Sequence, residues 1–398
     1  MATVKAFTIG ARIKRDLRNH LRDLGFTKKA DGSLNPPSGD KDTYRHLHRR
    51  HRDAKSQGAE RLVIERLPEF EKYFASGADI DPAKIEPVLE EIDSDGWQTK
   101  LFRAASLTWS VPVSNGYGRR MRFLVWDKQN TKLIGLMALG DPVFNMGARD
   151  RIIGWNSADR ENRLVNMMDA YVLGAIPPYN QLLGGKLIAS LVRTEEISHR
   201  FKTKYGQTQG IISKEHKRAQ LLCVTTTSSL GRSSIYNRLK LGGTDYFTSV
   251  GFTSGYGHFQ IPPKLFEDVL SYLKKRRRSY ADGHQFGDGP NWRMRAVRLA
   301  LKLLDVNEEV LRHNLRREIF MCKYASNAYA YLCGHAKRAR YDDLLPVTEV
   351  SALARNRWIV PRALRRPEFA NWTREETLQL IRRDAAQVQE ETGQLLKA

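Results

Sequence analysis

A pair of prolines most constrains how this chain can fold. Pro177-Pro178 closes an apolar run from Leu164 to Ile176 that is rich in Val, Tyr and Met. Proline lacks an amide donor and fixes its own φ, so regular structure stops there and the run before it reads as a buried strand. Beyond Tyr179-Asn180 the period changes. Leu182, Leu183, Leu187, Ile188 and Leu191 recur at helical spacing, with Gly184-Gly185-Lys186 inside the first two turns. The first amides of a helix have no partner within it, so a strand that turns into a glycine-bearing helix start can present them to an anion. The plainer alternative is a close helix-to-strand crossing that needs residues without side chains, followed by a surface lysine. A nucleoside-triphosphate loop is excluded by spacing, because Asn180 stands where its first glycine belongs and Leu187 where its Ser or Thr would hold magnesium.

The pattern on either side sets the fold class. Arg119–Trp126 and Lys132–Leu139 are short apolar runs around the polar stretch Asp127–Thr131, which predicts an antiparallel hairpin. After the glycine-bearing helix, Ala219–Thr225 reads as a strand. Ile235–Leu239 reads as a short helix with Ser233 or Ser234 as its N-cap, and Asp245–Gly251 and His258–Ile261 as two shorter strands. The flanks are helical: Ile13–Gly25, Thr43–Phe74 with an interruption near Pro68, Pro263–Arg278, and the chain from Trp292 onward, beyond the glycine-rich connection Ala281–Pro290 and up to the frayed tail Asp384–Ala398. These elements predict an α+β protein: a helical N-terminal domain over residues 1–96, a central mixed sheet over 97–280, and a helical, basic C-terminal segment over 281–398. Asp169 is the one acidic residue in the apolar strand and is expected to be either a base or the partner of Arg160 or Arg163.

Composition enters through charge. The chain carries 66 Lys and Arg against 44 Asp and Glu, a formal net charge of +22, and the first hundred residues are close to balance. Nearly all of the excess therefore lies beyond Lys100, which predicts a polyanionic partner, DNA or RNA above all. Lys274-Lys275-Arg276-Arg277-Arg278 is the sharpest candidate, since five consecutive cations cannot all find nearby carboxylates and phosphate would relieve their repulsion. Arg293, Arg295 and Arg298 follow on the next helix, and Tyr272, Tyr280, Phe286 and Trp292 are close enough in sequence to stack on unpaired bases. The bland reading of the same run is a solvated helix end, where cations suit the dipole. The loop Thr226–Ser234 is a second, weaker phosphate candidate.

Other chemistry is less well supported. His46, His48 and His51 sit among arginines that oppose a divalent ion, so no metal is expected. Cys223, Cys322 and Cys333 are too few for a disulfide framework and suit a reducing compartment. No apolar run approaches the roughly 18 residues that would span a bilayer, and the expectation is a cytoplasmic protein with no membrane partner. No histidine pairs with a serine or cysteine at a recognisable spacing, so covalent hydrolysis has no support.

The combination of Ile153-Gly154-Trp155, Arg160 to Arg163, Tyr171-Val172-Leu173-Gly174, Pro177-Pro178-Tyr179 and Leu182-Leu183-Gly184-Gly185-Lys186-Leu187 resembles the Druantia protein A family. The resemblance runs from about Lys100 to Arg340. It implies a component of a bacterial anti-phage defence system, with other subunits including a helicase-like protein as partners, and it implies no mechanism.

A second resemblance is at the level of fold. Hairpin, long strand, glycine-bearing helix, strand, short helix and two more strands is similar to the order in the acyl-CoA N-acyltransferases of the GNAT superfamily. Their phosphate-binding signature is Gln or Arg, two residues, Gly, one residue, then Gly or Ala. Gln181-Leu182-Leu183-Gly184-Gly185-Lys186 matches its first four positions and places Lys186 where a small residue belongs. This resemblance implies an acyl-CoA site at Gln181, Gly184, Gly185 and Lys186, with Tyr236, on the segment Tyr236–Gly242, as general acid. Beside a scaffold whose basic face recognises an acidic protein surface, two functions follow. One is a nucleic-acid-binding and partner-docking defence subunit with a degenerate GNAT-like core and no cofactor; the other is an active acyl-CoA-dependent N-acyltransferase within the same system. The residues leave open which of the two holds, and so whether the chain is an enzyme.

Overall fold

The computed structural model describes residues 8–37, 40–48, 60–93, 96–209, 216–258, 261–281 and 290–382. The chain divides into two compact units: Met1–Ala54 with Ser229–Gly231 and Phe252–Arg317, and Lys55–Ser228 with Arg232–Gly251 and Glu318–Ala398. The expected divisions after residues 96 and 280 follow chain order, whereas the packing does not. The amphipathic helix Ile9–Asp23 finds the apolar partner for Ile13, Leu17 and Leu21 in a helix far along the chain, Pro263–Lys275. Burial of a shared apolar face, not adjacency in sequence, sets the grouping.

The larger unit is α+β around a seven-stranded mixed sheet. Its strands are β1 (Pro87–Glu91), β2 (Arg120–Asp127), β3 (Lys132–Gly140), β4 (Met167–Ala175), β5 (Cys223–Thr227), β6 (Thr248–Phe252) and β7 (Glu318–Lys323), in the spatial order β1-β2-β3-β4-β5-β7-β6. β4 and β5 run parallel over Met167–Asp169 and Cys223–Thr225, while β1 through β4 and the β5/β7 pair are antiparallel.

The hairpin forms where the two apolar runs predict it. A register shift at Val125/Trp126 leaves Ile134 as the extra residue of β3, between Leu133 and Gly135. The alternation of β3 changes phase there: Ile134, Met137 and Leu139 face the core under the Gly184–Leu191 helix, and Leu133, Leu136 and Ala138 face the core under Trp97–Ser106. The run from Leu164 spends its first turn as a 3-10 segment, Leu164–Asn166, before β4 begins.

Within the seven-stranded sheet, two strands fall where the sequence pattern predicts none. β7 (EIFMCK) is buried from Glu318 to Cys322 and lies between β5 and β6. A central strand covered on both faces shows no alternation, so its short apolar run is hidden among arginines that suggest a helix on either side. β1 lies in the acidic stretch Asp81–Asp95, at the sheet edge, where glutamates are tolerated. Conversely His258 and Ile261 belong to no strand, and the two residues between them lie outside the described residues. The connection Ala281–Pro290 is described only at its ends, and the tail Asp384–Ala398 lies outside the described residues. Among the described residues no helix is long and apolar enough to cross a membrane.

The smaller unit packs Ile9–Asp23, Pro263–Lys275 and Pro290–Leu303 around Leu265, Phe266, Val269, Ala296, Val297 and Ala300. Arg12 Nη2 reaches Asp268 Oδ1 at 2.6 Å and ties the first two helices at the surface. Thr8 caps the first helix by accepting from the Ala11 amide at 3.2 Å.

Candidate nucleic-acid interface and the glycine turn

The basic run of the smaller unit is not a continuous helix. Pro263–Lys275 ends with Arg276 as its cap, and Arg277 takes a left-handed conformation, φ +51°. The Arg278 amide then donates to Leu273 O at 3.1 Å and the Arg277 amide to Lys274 O at 2.9 Å, which closes the last carbonyls and turns the chain. The five cations consequently splay around a corner, and all five are exposed. Lys275, Arg277 and Arg278 make no ion pair among the described residues. Arg276 lies 4.5 Å from the centre of the Tyr272 ring.

The arginines of the next helix divide. Arg295 is exposed, and Arg298 Nε meets Glu308 Oε2 at 2.8 Å at the surface. Arg293 instead stacks on Phe266, 4.3 Å from its ring centre, and supports the core. The aromatic residues expected to stack on bases also turn inward. Tyr272 and Trp292 are buried, because helical spacing puts Tyr272 on the same face as Leu265 and Val269, and Trp292 meets Phe266 edge-on at 5.6 Å. Tyr280 is partly buried against the same core, and Phe286 lies outside the described residues. Exposed aromatic surface in this unit comes from elsewhere: Phe252 and Tyr256, with the Arg316 guanidinium 5.1 Å from the Phe252 ring centre. Sequence reasoning passes over them because both fall between the two short strands expected at Asp245–Gly251 and His258–Ile261. An aromatic on each side of a glycine-bearing turn was the available signal.

In the larger unit the glycine turn is built as a tight crossing. Leu183 adopts φ +61° and hands the chain from the 3-10 segment Tyr179–Leu182 to the helix Gly184–Leu191. A Cβ on Gly184 would lie 2.6 Å from Tyr179 O and 2.9 Å from Ala175 Cβ, so only glycine fits. Gly185 is less confined, its nearest neighbour being Ile235 Cδ1 at 3.4 Å. Gln181 offers its carbonyl to Arg362 Nε at 3.1 Å, and Lys186 Nζ lies 5.1 Å from the centre of the Trp358 ring. Burial, with Arg238 and Arg357 adding repulsion, holds the Lys186 ammonium below its ordinary pKa. Gln181, Gly184, Gly185 and Lys186 are thus brought together, with Arg238, Arg357 and Arg362 around them.

Tyr236 stands on the 3-10 turn Tyr236–Arg238, whose start is bonded by Ser233: Oγ accepts from the Ile235 and Tyr236 amides at 3.2 and 3.1 Å. Glu318, buried at the head of β7, holds this loop through Ser233 N (3.2 Å) and Asn237 Nδ2 (2.9 Å), and also accepts from Ser249 Oγ at 2.9 Å. The Tyr236 ring packs on Phe247 and Phe320 at 4.9 and 5.2 Å. Its hydroxyl bonds to Thr226; burial, reinforced by the negative charge of Asp169, pushes it up to about 12. Asp169 accepts from Thr225 Oγ1 at 2.6 Å. The arginines expected beside Asp169 are engaged elsewhere, Arg160 with Asp150 Oδ2 at 3.0 Å and Arg163 with Tyr331 O at 3.1 Å. The Tyr236 hydroxyl keeps its proton at neutral pH and faces a polar seam between β4 and β5.

No three His, Cys, Asp or Glu side chains among the described residues are grouped so as to hold a metal ion, and His51 lies outside them. Comparison with known proteins gives a family. Residues 38–334 match the family described as "Druantia protein DruA". A curated relative of that name, from Escherichia coli (strain UMEA 4076-1), is 48% identical over 375 residues, covering 94% of this chain and 93% of its own. No solved structure matches the chain.

Proposed function

Since the chain belongs to the Druantia protein DruA family and is thereby a component of that anti-phage defence system, we propose that it is a subunit that binds nucleic acid and docks on partner proteins. The observation that carries this reading is the basic corner of the smaller unit. Lys275, Arg277 and Arg278 are exposed around a left-handed turn with no carboxylate to neutralise them among the described residues, and Lys274, Arg276, Arg295 and Arg298 flank them. Such a surface releases counterions from phosphates and reads no sequence.

The test is anisotropy of labelled duplex and single-stranded DNA and RNA over a salt series. A binding constant that falls linearly with salt on logarithmic axes counts the neutralised phosphates. Reversing Lys275, Arg277 and Arg278 to Glu should flatten that slope by about 2–3 on duplex DNA. Absence of binding at low salt would end this reading and point the charge at an acidic protein surface, with the chain acting as a scaffold beside partners such as a helicase-like protein.

A second reading, acyl-CoA-dependent N-acyl transfer with Tyr236 as acid, draws support from the parallel β4/β5 pair beside the Tyr236 hydroxyl. Against it, the chain's own side chains already cover the turn: Arg362 bonds Gln181, and Lys186 lies over Trp358. Calorimetry with coenzyme A decides. Binding by the wild type would favour a working pocket, a gain only in Lys186→Gly would mark a degenerate one, and silence at millimolar ligand in both would remove the enzyme.

A further inference from the structure

The basic corner explains attraction to phosphate but supplies nothing for bases, since Tyr272 and Trp292 are buried. Among the described residues of the smaller unit, the large apolar side chains left exposed are Phe252 and Tyr256, at 41% and 42%. Single exposed aromatics need no explanation. Two in one short turn, both exposed and edged by arginines, call for one. The turn is clamped along its length to residues 311–317. Thr253 N donates to Arg317 O at 2.9 Å, Asn314 N to Gly255 O at 2.9 Å and Gly257 N to Leu311 O at 3.0 Å, and Tyr256 pairs with Arg312 in an isolated antiparallel bridge. Gly255, φ +67°, lets the strands close, because a Cβ there would lie 2.7 Å from Asn314 Cα. Both rings are therefore presented from rigid backbone and lose little freedom on contact.

The charge around them selects the occupant. Arg316 lies over the Phe252 ring, Arg312 is the bridge partner of Tyr256, and the Tyr256 hydroxyl is near enough to Arg298 to interact with it electrostatically. Arg312 and Arg298 meet Glu309 and Glu308 at 2.8 Å each, but as exposed pairs. Exposed pairs contribute little, so both guanidinium groups can turn to phosphate at small cost. Aromatic faces interleaved with arginines suit unpaired bases on a charged backbone, and an arginine plane beside a ring extends the stack. A duplex hides its base faces and gains nothing here.

We propose that the Phe252–Gly257 turn is a base-stacking site for single-stranded nucleic acid, with Phe252 and Tyr256 as the platforms and Arg316, Arg312 and Arg298 on the backbone phosphates. The site rests on the nucleic-acid reading above and specifies the form that is bound.

The experiment uses the full chain with single-stranded and duplex DNA of equal length, read by anisotropy, and with 2-aminopurine in the single strand as a stacking reporter. The wild type should bind the single strand and quench the reporter. Phe252→Ala with Tyr256→Ala, both at exposed positions, should weaken single-strand affinity about 10- to 100-fold, abolish quenching and leave duplex affinity within about twofold. Phe252→Tyr with Tyr256→Phe should retain both signals. Single-strand binding and quenching unchanged in the double alanine variant would overturn the site, as would duplex binding by a wild type that ignores single strands; in either case the basic corner survives. Binding of neither form removes the nucleic-acid reading itself, and the stacking site with it.

Discussion

Arg277 closes the Pro263–Lys275 helix from the same position, and with the same pair of backbone bonds, that Gly25 uses to close Ile9–Asp23. At the first helix the Phe26 amide donates to Leu21 O at 3.0 Å and the Gly25 amide to Arg22 O at 2.8 Å, with Gly25 at φ +78°. At the second, Arg278 and Arg277 make the equivalent bonds with Arg277 at φ +51°. Glycine takes a left-handed conformation freely, whereas an L side chain pays about 1 kcal/mol for it. Arg277 carries that strain at an exposed cationic corner.

Arg277→Gly should therefore stabilise the protein by about 0.5–1 kcal/mol in urea unfolding while weakening nucleic-acid binding and lowering the salt slope by about 1. A loss of stability would show that Arg277 packs rather than strains. Unchanged binding would take it off the interface.

The two glycines of the turn should respond in opposite ways. Gly184→Ala forces a Cβ against Tyr179 O and Ala175, both on a rigid crossing, and should cost about 1–3 kcal/mol. Gly185→Ala meets only the end of Ile235 at 3.4 Å and gains helix propensity, so it should be neutral or stabilising by a few tenths of a kcal/mol. Thermal melts of the two variants check this. Equal losses would mean that both amides approach something closely and would revive an anion seat at the turn.

The contrast between these glycines shows how far the residues alone could be read. The strand-to-helix switch at Pro177-Pro178 was legible because proline and a change of period are local facts. The close crossing at Gly184 was one of the two readings the residues offered, and deciding for it needed Ala175 and Tyr179 O behind it. The hairpin was legible from its two runs, but the phase change at Ile134 needed the register. β7 was hidden because burial on both faces removes its alternation, and the strands that flank it, β5 and β6, lie far away in sequence. In the smaller unit, the run Lys274–Arg278 was plain as charge. Which aromatics stand outside was not, because Tyr272 follows the buried face of its helix while Phe252 and Tyr256 follow a turn pinned by residues 311–317.

A buried histidine makes stability depend on pH in a definite direction. His313 is 5% exposed, and its Nδ1 accepts from the Leu315 amide at 3.1 Å. Burial, helped by the nearby Arg317, lowers it to about 3. In the unfolded chain the same imidazole titrates near its ordinary value of about 6.5. Between these values the unfolded state binds a proton that the folded state refuses, so stability is full above about pH 6.5 and falls as the pH drops toward 3. At pH 4 the loss attributable to this group should be about 2–3 kcal/mol relative to pH 7. His313→Asn, whose Oδ1 can still accept the Leu315 amide, should be somewhat less stable at pH 7 but lose less on acidification. Urea midpoints of both proteins from pH 4 to pH 8 measure the difference, and parallel pH profiles would show that His313 takes up a proton in the fold.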